Sequence, residues 1–66
     1  MINRKQLDEM NATTTDGTLY HFNGWDYEFN VKTQELWDIN DGYGKPEFLC
    51  VVTNQVELQD LLDVLP

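Results

Sequence analysis

The sequence contains no serine, one cysteine, one histidine and four basic residues. Each scarcity closes a class of chemistry. Nucleophilic catalysis needs a reactive group with an oriented base within hydrogen-bond reach, and only Cys50 with His21 could supply that pair. Cys50 lies inside the apolar run EFLCVVT and His21 between Tyr20 and Phe22, which reads as a buried thiol and a sheet-surface histidine rather than a catalytic couple. Paired carboxylates are plentiful, but a general acid–base site also needs a walled pocket, and a domain of this size has little volume for one. The expectation is a protein that is not an enzyme. With one Cys and one His there is no zinc ligand set of the usual spacing, so no metal or cofactor is expected.

A single cysteine makes no internal disulfide, and a small chain without staples is expected in a reducing cytoplasm. The basic residues are scattered as Arg4, Lys5, Lys32 and Lys45. Nucleic acid and anionic membranes are held by clustered Lys and Arg, so direct binding to either is disfavoured. No apolar run approaches the roughly 18 residues of a membrane span, and the opening MINRKQLDEM lacks the apolar core of a signal peptide.

What the chain does have is acid and aromatic surface. Twelve acidic residues against four basic ones give a formal charge of −8, and eight aromatics sit within a 41% hydrophobic composition. That is too apolar for a disordered acidic tail. Residues 1–66 are expected to form one folded domain with a small core.

The pattern along the chain gives an α+β fold. INRKQLDEMNA fits a short N-terminal helix, with Asn3 as N-cap and Gln6 as its capping-box partner. TTTDG, with β-branched residues and a closing Asp-Gly, should end it and start a sheet. Trp25, Tyr27, Phe29 and Val31 alternate with Asp26, Glu28 and Asn30, placing four large apolar side chains on one face of a strand. TLYHF before it would form a hairpin through a tight Asn23-Gly24 turn, and Glu35 to Ile39 a third strand. EFLCVVT is a continuous apolar run, as in a strand covered on both faces. Leu58, Leu61, Leu62 and Leu65 then mark one face of a C-terminal helix, with Asn54 as its cap. The sum is a small antiparallel sheet of three to four strands, a meander, with the amphipathic C-terminal helix packed on its Trp25/Tyr27/Phe29 face and the short N-terminal helix beside it.

DINDGYGKPE, from Asp38 to Glu47, looks at first like a ligand loop. Against the calcium-loop pattern its glycine comes one residue early and position 12 is Leu49, not a bidentate acid. Against the phosphate-loop pattern it lacks the Ser or Thr after the lysine and leads into Pro46 and a strand. A solvent-facing hairpin loop between the third and fourth strands is expected, with Asp38, Asp41 and Tyr43 on its tip. The remaining candidates are carboxylate rows: Asp26 and Glu28 on the polar strand face, and Glu57, Asp60 and Asp63 along the last helix. The bland reading is a solvated surface. The sharper one is that Asp26, Glu28, Asp38, Asp41, Tyr43, Glu57, Asp60 and Asp63 contact a basic protein surface, such as that of a nucleic-acid-binding protein, by imitating the charge of DNA.

The expected function is thus a small acidic protein-binding module, by analogy of type an inhibitor of the kind encoded by phages or mobile elements. The alternative is a structural or regulatory homodimer associating through sheet-face aromatics.

Overall fold

The computed structural model describes residues 1–65. Its elements are α1 (Arg4–Glu9), β1 (Thr13–Thr14), β2 (Leu19–Phe22), β3 (Tyr27–Asn30), β4 (Glu35–Asp38), a 3-10 turn (Asn40–Gly42), β5 (Glu47–Val51) and α2 (Gln55–Val64). Each strand pairs antiparallel with its neighbour in sequence, giving the order β1-β2-β3-β4-β5. The α+β meander with a helix at each end is as expected, but the sheet has five strands. The additional one is β1, two exposed threonines with no alternation to reveal them. Thr14 secures it: its hydroxyl donates to the Leu19 carbonyl at 2.8 Å and accepts from the Gly17 amide at 2.9 Å.

Both helices start where their caps dictate. Asn3 Oδ1 accepts from the Gln6 amide at 2.9 Å, while Gln6 Oε1 accepts from the Asn3 amide at 3.0 Å, the reciprocal box that satisfies two otherwise unpaired N–H groups. Asn54 Oδ1 accepts from the Val56 and Glu57 amides at 2.9 and 3.1 Å.

Registry then builds the core. Tyr20, Phe29, Leu36 and Cys50 lie opposite one another across four strands, with Phe22 opposite Tyr27 in the next row. These side chains share the inner face of the sheet. Leu58 and Leu62 of α2, Ile2 and Leu7 of the N-terminal segment, and Val31 and Val52 join Tyr20, Phe22, Tyr27, Phe29 and Leu36 in one buried cluster, with Leu61 and Leu65 half-buried against it. Each large apolar side chain so buried contributes roughly 1.5–3 kcal/mol.

One buried polar side chain ties the ends of this arrangement together. Gln34, in the β3–β4 turn with a left-handed φ of 63°, accepts from the Ile2 amide at 2.7 Å and donates to the carbonyls of Ile2 and Val31 at 3.0 and 2.8 Å. Its own carbonyl accepts from the Val52 amide at 2.9 Å. The amide is fully used, so its burial carries no unpaired group.

Three expectations are corrected. Trp25 is not on the face of Tyr27 and Phe29. The β2–β3 connection is not a two-residue turn, because Phe22 pairs with Tyr27 rather than with Trp25. Asn23 and Gly24 do take left-handed φ values of 53° and 72°, but two further residues are spent on the turn. A slip of two preserves the side-chain parity of the strands, so only Trp25 leaves the inner face. Second, β5 is not covered on both faces. It is a sheet edge, and its apolar run comes from a bulge: Leu36 faces Cys50 while Trp37 faces Phe48, so Leu49 is an extra residue. The bulge lets Leu49 and Cys50 both pack toward the core. Third, the DINDGYGKPE loop joins the fourth and fifth strands, and β4 ends at Asp38 rather than Ile39.

Candidate functional site

No described helix covers the other face of the sheet. The helical leucines lie with the inner side chains, so no described helix shields the outward positions of β2 to β5. In the central outward row the residues opposite one another are Thr13, His21, Glu28, Trp37 and Phe48. Four of these span β2 to β5, three strand spacings or about 14 Å.

The row is held by contacts within it. His21 Nε2 lies 3.2 Å from Glu28 Oε2. Since a carboxylate only accepts, Nε2 carries the proton. Trp25 folds out of the β2–β3 turn and lies over His21, ring centroids 3.9 Å apart and planes inclined by 36°. Trp37 and Phe48 meet edge to face at 5.5 Å, a geometry worth about 0.5–1.5 kcal/mol beyond burial. Trp37 Nε1 points to Glu35 Oε1 at 3.4 Å, which places Glu35 on the same face.

The surface left by this packing is apolar and acidic at once. Trp25 remains 47% accessible, Phe48 46% and Val51 56%. Glu28 and Glu35 stand among them, and no Lys or Arg occupies an outward position of these strands. His21 itself is 6% accessible, and its buried Nδ1 has no hydrogen-bond partner among the described residues.

Trp25 is not a loose side chain on a free turn. Its carbonyl accepts from the Asp41 amide at 3.0 Å, and the Asp26 carbonyl accepts from the amides of Ile39 and Asn40 at 2.9 and 3.2 Å. Three backbone hydrogen bonds therefore join the β2–β3 turn to the β4–β5 loop at one end of the sheet. Asp38 supports the same junction by accepting from the Asn40 amide at 2.9 Å. Left-handed Asn40, Asp41, Gly42 and Gly44 shape the loop, and Asp38, Tyr43, Lys45 and Glu47 help line a shallow open concavity of about 290 Å³. Among the described residues no three His, Cys, Asp or Glu side chains gather to hold an ion.

The residues picked out from sequence therefore fall into two places. Asp26, Asp38, Asp41 and Tyr43 come together at the joined loops, Tyr43 being 73% accessible, and Glu28 lies next to them in the central row. Glu57, Asp60 and Asp63 are exposed on α2, which covers the opposite face. The sheet separates them from Glu28, so the carboxylates do not form one continuous ridge. Asp26 and Asp38 act inward as well: burial first, then these two carboxylates, push the Tyr27 phenol above its ordinary pKa.

Sequence reasoning missed His21, Trp25, Trp37 and Phe48 as a group. Pairing register was the missing signal, because alternation within each strand does not say which residues share a row. Compared with known proteins, the chain matches no family model, no curated sequence and no solved structure.

Proposed function

We propose that this chain is a non-enzymatic protein-binding module that docks through the outer face of its sheet. The observation that carries the reading is the uncovered row of Trp25, Trp37 and Phe48, flanked by Glu28 and Glu35 with no cation among them. Contiguous apolar surface rimmed by charge characterises interaction sites, and Trp is a residue type that dominates their energetics. The rim and the −8 charge select a partner with an apolar patch bordered by Lys and Arg. A second copy of the chain fits less well, since it would set these carboxylates and its own −8 against their equals. A reducing cytoplasm belongs to the same proposal, Cys50 being a free thiol.

The test is to pan a random peptide library on the immobilised full chain and to map the selected peptides by amide chemical-shift perturbation. Peptides that combine basic and apolar residues and perturb outward positions of β2 to β5 are expected. Selection of peptides that map to α2, or of none, overturns the reading. Exposed Glu57, Asp60 and Asp63 on α2 favour a second reading, imitation of a DNA backbone toward a nucleic-acid-binding protein. In that case double-stranded DNA would compete for the partner and the Glu57→Gln/Asp60→Asn/Asp63→Asn triple variant would lose it, with the outer-face variants unaffected.

A further inference from the structure

We infer that Glu28 is the seat for one arginine side chain of the partner, with the indoles of Trp25 and Trp37 on either side. This rests on the docking reading and makes it specific. Glu28 is the one carboxylate in the central row. Trp37 is its neighbour on β4 and His21, under Trp25, its neighbour on β2. Directly opposed positions place Cβ atoms about 4.5–5.5 Å apart, so both flanks of the carboxylate are aromatic.

The carboxylate is fixed and incompletely used. His21 Nε2 holds Oε2, while Oε1 takes no hydrogen bond from the described residues. The Glu28 side chain is 23% accessible, open to one approaching group. No Lys or Arg of the chain pairs with this carboxylate: Arg4 and Lys5 lie on α1, Lys32 in the β3–β4 turn and Lys45 in the β4–β5 loop, and the described residues contain no Lys or Arg ion pair. The buried Nδ1 of His21, which has no hydrogen-bond partner among the described residues, belongs to the same row.

Those features select arginine over lysine. Indole faces attract cations, most strongly where water is excluded. A guanidinium is planar, stacks on rings, carries five donors and is less strongly hydrated than an ammonium group. It can lie against an indole while its edge reaches Oε1, whereas the compact ammonium of lysine satisfies the charge but not the stacking.

The experiment titrates the full-length chain with N-acetyl-arginine amide, and separately with the lysine and norleucine counterparts, following the indole Nε1–H signals of Trp25 and Trp37. The arginine probe should shift both saturably, with Kd on the order of 1–10 mM for a single exposed contact of this kind. Lysine should bind at least about threefold more weakly and norleucine not at all. Glu28→Gln, which keeps the shape of the side chain, should weaken the arginine probe by about tenfold. If that variant does not fold, Trp37→Leu reads the same loss. Equal binding of arginine and lysine, an unchanged Kd in Glu28→Gln, or no saturable shift overturns the seat. Selected peptides that perturb the outer face but tolerate replacement of every arginine by alanine would remove the seat and leave the docking reading intact. Arginine-probe binding without any peptide on that face would do the reverse.

Discussion

The two faces of the sheet are built from the same four longer strands and end in opposite states. On the inner face Phe29, Leu36 and Tyr20 stand in register and are closed over by Leu58, Leu62, Ile2 and Leu7, with Phe29, Leu36, Leu58 and Leu7 fully buried. On the outer face Trp37 and Phe48 stand in register in the same way, yet no described element closes over them. Aromatic content therefore does not distinguish core from surface in this molecule. What distinguishes them is the supply of covering helix, and two short helices suffice for one face. The aromatics left over are organised into a row by their own contacts.

The sharpest way to break that contrast is to cut one residue from each face. Phe29→Ala should cost about 3–5 kcal/mol through lost burial and the cavity left behind. A domain of this size has roughly 3–10 kcal/mol in total, so urea titration should find the variant mostly unfolded or close to it. Gln34→Leu should come next, at about 2–4 kcal/mol, because the Ile2 amide and carbonyl stay buried without their partner. Phe48→Ser should cost less than either, about 1–2 kcal/mol from the lost ring pair and partial burial, while abolishing capture of outer-face peptides. If instead it destabilised as Phe29→Ala does, the outer row would be core after all.

The smallest effect belongs to neither face. Asp16 Oδ1 accepts from the amides of Leu19 and Thr18 at 2.9 and 2.8 Å, and these bonds hold its carboxyl below the ordinary aspartate value. A carboxyl depressed in the folded state adds stability above its unfolded pKa, near 3.9, and that stability is lost as pH falls through the folded value. Asp16→Asn should therefore lower stability slightly at neutral pH, where the carboxylate contributes, and converge with the parent in acid, which flattens the limb of the stability–pH curve below about pH 4.

Much of this was legible in the sequence for reasons that are local. The Asn3/Gln6 box, the Asn54 cap, the leucine face of α2 and the alternation of Tyr27, Phe29 and Val31 each depend on neighbours within a few residues. What escaped depends on pairing. β1 is too short to show a period. Trp25 continues the alternation in sequence but lies in a turn two residues longer than Asn23-Gly24 requires. EFLCVVT hides a bulge that only the partner strand exposes, and Gln34 looks like any polar turn residue until Ile2 is beside it. The candidate site was the least legible part, since a row across four strands is a property of register alone.

The Gln34 clamp also has a kinetic meaning. Every strand pairing joins sequence neighbours, whereas Gln34 reaches 32 residues back to Ile2. Closing the longer loop costs more entropy, so the hairpins should zip first and the latch engage after the rate-limiting step. Weakening it should then raise the unfolding rate and leave the folding rate almost untouched, a pattern that stopped-flow chevrons on Gln34→Leu can read. Local opening of the same latch in the native state should free the residues around Ile2 while the sheet persists. The Ile2 amide should accordingly exchange with solvent hydrogen faster than those of β3, the central strand of the meander.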